Sequence, residues 1–192
     1  MAKAPTYRSK WPSYARLWDA ARVTKTQTVA KKAAQLVALK GEYQKVEKDT
    51  GVPWWWIAVV HMRESNNDWT KSLAQGDPWN RVSTHVPAGR GPFRSFRGAA
   101  YDALVTLKKL DKVIDWRLEK ALYYMEQYNG WGYHWKGIPS PYLWAATTEQ
   151  KPGKYVADHK WSSTAMDSQL GTVAVLKAMM LLDPTIKPER ET

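Results

Sequence analysis

Residues 52–69 read VPWWWIAVVHMRESNNDW, and the reading of this stretch decides the fold. Pro53 suits the first position of a helix, where a missing N–H costs no hydrogen bond. Trp54, Trp55, Trp56, Ile57, Ala58, Val59, Val60 and Met62 are apolar around nearly the whole helical circumference. That is the pattern of a central core helix, and the run is too short to span a membrane. The spacing predicts a helix over 53–64. Glu64 then falls in its last turn, beside unpaired carbonyls at the negative end of the helix dipole. Dipole and partial burial both favour the protonated acid, the form a general acid needs. From position alone the plainer reading prevails, a solvated glutamate at a helix end.

The chain has 192 residues, enough for one well-buried domain. It holds 12 Trp and 10 Tyr against 2 Phe, an excess of rings with polar edges that suits stacking on ligands as well as core packing. The net charge of +11 points to a polyanionic partner: nucleic acid, an anionic bacterial envelope or acidic lipid headgroups. Residues 1–50 carry eleven Lys and Arg against four Asp and Glu, which is +7 of that total. With no cysteine, disulfides, thiol catalysis and thiolate metal sites are excluded. The N-terminus, MAKAPTYRSKWPSYARLW, lacks the apolar core of a signal peptide, so synthesis and retention in the cytoplasm are expected until something releases the protein.

Outward from the central helix, Val29, Ala33, Leu36, Leu39, Tyr43 and Val46 recur at helical spacing and predict one long helix over 26–48, with Gly41 as its weak point. A short helix is expected near Pro12–Arg22. Beyond Glu64, residues up to Phe96 are rich in Asn, Asp, Gly, Pro and Ser, the composition of loop or short hairpin. Helical patterning returns over 99–113, 117–128 and 166–182. The expected architecture is therefore mainly α: a single domain with a central buried helix, followed by a loop or short-hairpin region. Its parts are a basic N-terminal helical part (1–50), a core (51–182) and a C-terminal tail (183–192).

If Glu64 is an acid, a partner should come from the loop that follows. Asp68 can bond local backbone, while Asp77, in Gln75-Gly76-Asp77-Pro78-Trp79, sits in a tight turn able to swing a side chain over a cleft. Thr84, in STHVPAGRGP, offers a hydroxyl that can orient a water, or one that merely bonds its own loop. His61, His85, His134 and His159 form no HExxH-like pair, and neither a nucleophile elbow nor a phosphate loop is present. Among enzymes, an acid-dependent hydrolase without metal or cofactor remains.

The order of a buried helix ending in Glu64-Ser65, a polar loop, and Tyr128-Asn129-Gly130 closing a later helix resembles the goose-type lysozymes and lytic transglycosylases of the lysozyme superfamily. HMRESNNDW, QGDPWNRVSTHVPAGRGPF, YNGWGY, SPYLWA and GKYVADH together are similar to phage and prophage lysozyme-like endolysins, over roughly residues 51–182. The resemblance implies a lysozyme-like fold and a muramidase that cleaves the β-1,4 bond between N-acetylmuramic acid and N-acetylglucosamine and so lyses bacteria. It implies Glu64 as the catalytic acid, Asp77 and Thr84 as the groups that hold and activate a water, and Tyr128 and Asn129 lining the sugar site. Trp79, Tyr142 and Trp144 are candidates to stack on sugar rings. The implied partner is peptidoglycan, met by a monomer through its basic N-terminal region after holin-dependent release, with no nucleic acid.

The Gly-Leu-Met-Gln segment common after the glutamate of transglycosylases is missing, which favours hydrolysis and leaves the second catalytic residue open between Asp77 and Asp68. Three readings stand beside the muramidase: a lytic transglycosylase giving 1,6-anhydro products, a non-catalytic wall-binding module, and a basic nucleic-acid-binding protein.

Overall fold

The computed structural model describes residues 3–74, 76–85, 87–157 and 160–191. The chain is mainly helical, with one small two-stranded sheet among the described residues. Its backbone contacts define two compact units, one built from residues 1–34 and 116–192 and the other from 35–115. Residues 1–50 are thus divided between the two.

In the 35–115 unit the central helix, α4, runs Trp54–Ser65 and buries every residue from Trp54 to Met62. Removing a large side chain from such a surround, as in Ile57→Ala, costs about 2–5 kcal/mol. Pro53 is the residue before the helix rather than its first residue, with an extended ψ of 137°. The helix ends because Asn66 and Asn67 both take left-handed backbone angles (φ 56° and 64°), which asparagine tolerates better than most residues. Their N–H groups bond the carbonyls of Met62 and His61, satisfying the last turn.

The long helix predicted over 26–48 is two, α2 (Thr26–Ala38) and α3 (Lys40–Thr50). At Leu39 the N–H is shared between the carbonyls of Gln35 and Leu36, a tightened turn that interrupts the α ladder just before Gly41. The apolar stripe nevertheless continues through Tyr43 and Val46, both fully buried, and α3 packs on α4. Residues 66–95 contain no strand among the described positions. They hold an isolated antiparallel bridge, Lys71 with Pro78, and a set of side-chain-fastened turns. Helix α5 (Phe96–Tyr101), capped by the Ser95 hydroxyl on the Gly98 N–H, runs directly into a wider π turn over Asp102–Leu107.

In the other unit α1 (Tyr7–Ala20) packs on α6 (Leu118–Asn129). Thr6 caps α1 through the Ser9 N–H, and Pro12 is accommodated inside the helix, which begins earlier than Pro12. Short helices α7 (Gly132–Trp135) and α8 (Pro141–Trp144) follow, then the hairpin of β1 (Lys154–Ala157) and β2 (Lys160–Ser162), paired antiparallel. Helix α9 (Thr172–Leu182) packs on α8, with Gly171 at the approach. A Cβ there would meet the Leu143 carbonyl at 2.4 Å, so the contact requires glycine for room, not for backbone angle. The stretch 166–171, predicted helical, is not: the Asp167 carboxylate takes the Gln169 N–H and the Lys154 ammonium, a local alternative to the helical ladder. The tail beyond Asp183 is tied back, with Ile186 buried, Arg190 on Glu119 and Asp19, and the Tyr7 hydroxyl donating to Glu191.

Candidate functional site

The polar letters that close α4 form a buried network. His61, fully buried, has Nδ1 3.0 Å from the Tyr43 hydroxyl and Nε2 3.2 Å from the Asp68 carbonyl. Asn67 donates through Nδ2 to the same Tyr43 oxygen at 3.0 Å and to the Ala58 carbonyl. A carbonyl only accepts, so His61 must carry its proton on Nε2; Nδ1 then accepts from the Tyr43 hydroxyl, whose oxygen accepts from Asn67. Burial pushes the Tyr43 hydroxyl far above the ordinary phenol range, which keeps that proton in place. His61, Trp69 and Phe96 stack as one cluster, with ring centroids 4.6–5.1 Å apart. The end of α4 is therefore fixed, and Glu64, half-buried, is carried on a rigid turn.

Two further elements close on Glu64. The loop folds back so that a Cβ at Gly76 would stand 3.9 Å from the Glu64 carbonyl oxygen. Lys108, the residue after the π turn, is near enough to interact electrostatically with Glu64. Much of the Lys108 side chain is in solvent, yet enough protein surrounds its ammonium that burial lowers its pKa, an effect Glu64 opposes. A neighbouring cation favours the ionised carboxylate, so Lys108 works against the dipole at the helix end. Nothing in the sequence singled out Lys108, because π turns carry no simple period and the contact is long-range.

The turn at Asp77 aims its carboxylate at residues 84 and 85. Oδ2 accepts from the Thr84 N–H at 2.8 Å and the His85 N–H at 2.9 Å, and Oδ1 is 2.6 Å from His85 Nδ1. Asp77 is 9% exposed. The His85 backbone and ring bonds, with the Thr84 bond, hold its carboxyl below the usual range, and desolvation is only a partial brake. The base role expected of Asp77 thus meets a carboxylate already engaged as a loop fastener. The missed group is His85, which is exposed and oriented by Asp77 as a carboxylate orients a catalytic imidazole. Thr84 is exposed, and its hydroxyl makes no hydrogen bond among the described residues. Asp68 bonds locally, accepting from the Thr70 N–H and hydroxyl, which lowers its pKa. Farther along, Ser83 accepts from the Arg90 N–H, and Arg90 forms a two-pronged ion pair with the buried Asp102.

The proposed sugar-binding residues fare differently. Trp79 is half-buried and its indole N–H donates to the Trp69 carbonyl at 2.7 Å, leaving part of the ring open. Tyr142 and Trp144 are 3% and 1% exposed, so neither has a face to offer a sugar: both are core residues of α8. Tyr128 is largely buried at the end of α6, Asn129 beside it is exposed, and Gly130 closes the helix with its N–H on the Glu126 and Gln127 carbonyls. Tyr128 and Asn129 belong to the unit of 1–34 and 116–192, and Glu64, Asp77, Thr84 and Trp79 to the other. Gln75, of the Gln-Gly-Asp-Pro-Trp segment, and His159 lie outside the described residues. Among the described residues no group of three or more His, Asp or Glu could hold a metal ion, and no helix is long and apolar enough to cross a membrane. Comparison with family models, curated proteins and solved structures gave no match.

Proposed function

We propose that the chain is a peptidoglycan hydrolase of muramidase type in which Glu64 is the general acid. The observation that carries the reading is Glu64 itself, half-buried in the last turn of a wholly buried helix. The Tyr43–His61–Asn67 network fixes that end, and the Gly76 backbone lies against it. Acid catalysis of glycoside cleavage needs a carboxyl group held rigidly, partly out of water, and open on one side to the leaving oxygen. The fastened turn and the half-burial of Glu64 support the first two needs. In the hydrolytic form, a water attacks while the Asp77–His85 pair takes its proton, and the exposed Thr84 hydroxyl helps to hold it. The basic N-terminal region would draw the enzyme to an anionic envelope.

The engagement of both Asp77 oxygens favours one second reading. A lytic transglycosylase needs neither a held water nor a second carboxylate: Glu64 gives its proton to the leaving oxygen and, now ionised, takes the proton of the muramic acid 6-hydroxyl as that oxygen attacks its own anomeric carbon. Mass spectrometry of the muropeptides released from purified peptidoglycan separates the two. Hydrolysis leaves reducing ends; transglycosylation leaves 1,6-anhydro ends that are lighter by one water. Release of neither product would overturn both readings.

A further inference from the structure

Helix α6 carries two buried carboxylates, Glu119 at 0% exposure and Glu126 at 2%, and a spacing of two turns puts both on one face of the helix. A buried carboxylate needs donors, and these two find them in different places. Glu126 is satisfied by α1, through the Lys10 ammonium at 3.0 Å and the Tyr14 hydroxyl. Glu119 takes no hydrogen bond from α1 among the described residues. Its donors come from the tail, Arg190 Nε at 2.6 Å on Oε1 and the Glu191 N–H at 2.9 Å on Oε2.

The same piece of tail holds α1 at both ends. Arg190, with Nε on Glu119, turns its two terminal nitrogens to the Asp19 carboxylate at 3.0 and 3.3 Å, so one planar guanidinium joins α6 to the last turn of α1. That bond is the leading cause of the lowered Asp19 pKa. Glu191 takes the Tyr7 hydroxyl, at the first residue of α1, on Oε2 and the Arg117 guanidinium at 3.4 Å on Oε1. Burial, and then the bond to Glu191, keep the Tyr7 hydroxyl protonated as the donor. The Glu189 carbonyl takes the Leu118 N–H at 2.7 Å, a donor that the start of a helix leaves unpaired. Lone exposed ion pairs contribute little, but here two-pronged geometry, a fully buried partner and a shared network coincide. Lys187 and Glu189 stand in solvent between the buried Ile186 and the fastened pair, so the contacts at 189–191 are a separate attachment and not a continuation of the core.

We propose that residues 189–191 are a strap that locks α1 onto α6 and lets go as one piece, freeing both ends of α1 while its middle stays on Glu126. Loss of one tie then loosens the far end of the helix as well as the near one, since Tyr7 and Asp19 are joined through adjacent residues of the strap. The device is local opening of the kind that leaves the rest of a fold closed. It is independent of the reading given to Glu64.

The test is amide hydrogen exchange of the full chain, read residue by residue by ¹⁵N NMR, with Trp11 and Trp18 reporting the two halves of α1 and Val59 of α4 as the reference. Arg190→Ala removes the bolt next to Asp19. It should speed exchange at both Trp11 and Trp18 by roughly tenfold or more, the worth of one charge-assisted hydrogen bond, with Val59 unchanged. Tyr7→Phe keeps the ring and removes only the hydroxyl bond to Glu191, so the fold stays and Trp18, at the opposite end, should also exchange faster. Exchange unchanged in both variants would overturn the strap. So would acceleration confined in each variant to its own end of α1, which describes two separate surface ties, or equal acceleration at Val59, which describes general destabilisation.

Discussion

Asp77 Oδ1 lies 2.6 Å from Nδ1 of His85, and the other oxygen of the same carboxylate takes the backbone N–H groups of Thr84 and His85. One side chain thereby sets the course of the loop and the orientation of an exposed imidazole. These bonds depress the folded-state pKa of Asp77, so its contribution is present above the unfolded pKa and lost as pH falls through the folded value. Wild type should therefore exceed Asp77→Asn in stability at neutral pH, and the gap should close as the solution is made acidic below the ordinary carboxylate range. Denaturant midpoints of both proteins across pH 2–7, a range set by reference carboxylate pKa values of about 4, check this. A gap that persists unchanged at the acid end would show that the carboxylate charge does not fasten the loop.

Lys108 faces Glu64 electrostatically from the end of the π turn. Replacing it with methionine keeps the stem and removes the cation, so the Glu64 carboxyl loses a neighbour that favours its ionised form. If Glu64 is the acid, the alkaline limb of the pH–rate profile should move to higher pH in Lys108→Met. A profile unmoved, or moved to lower pH, contradicts the pairing.

Asn67 connects the end of α4 to Tyr43 and Ala58. Asn67→Ala leaves the buried Tyr43 oxygen without a donor, takes from the Ala58 carbonyl its side-chain donor and puts alanine at a φ of 64°. The expected loss is about 1–3 kcal/mol, measured by chemical denaturation. The exposed Asn129→Ala should stay within about 0.5 kcal/mol of wild type. Equal effects of the two would remove the network as the anchor of the Glu64 turn.

At Gly171 an added methyl would meet the Leu143 carbonyl oxygen at 2.4 Å and the Ala145 nitrogen at 2.6 Å, all backbone and unable to rotate away. Gly171→Ala should destabilise by about 1–3 kcal/mol or more, through displacement of α8 from α9. A thermal melt of the variant reads this directly, and an unchanged midpoint would mean that the two helices shift apart at little cost.

Much of the helical framework was legible because its signal is local. The run from Trp54 to Met62 is apolar on all sides and could only be a core helix, and Glu64 at its end followed from counting turns. The stripe through Val29, Ala33, Leu36, Tyr43 and Val46 was correct in face but not in continuity, since one shared N–H at Leu39 is enough to break a ladder that periodicity treats as unbroken. The segment before Gly171 was misread because Asp167 prefers the Gln169 N–H and the Lys154 ammonium to a helical position. Tyr142 and Trp144 show the limit most clearly. A ring that stacks on a ligand and a ring that fills a core have the same composition, and only packing between α8 and its neighbours decides between them. The partners of Asp77 were out of reach for the same reason, as nothing in Gly-Asp-Pro states which backbone N–H groups the carboxylate will find.

The most direct test of the account is Glu64→Gln on purified peptidoglycan, with released muropeptides quantified by mass spectrometry and the fold checked by circular dichroism. The amide preserves shape and removes the transferable proton. Wild type should release muropeptides, and the variant, equally helical, should release them about 10²- to 10⁴-fold more slowly. A folded Glu64→Gln protein that releases them at the wild-type rate, or a wild-type protein that releases none, would contradict the assignment of Glu64 as the acid.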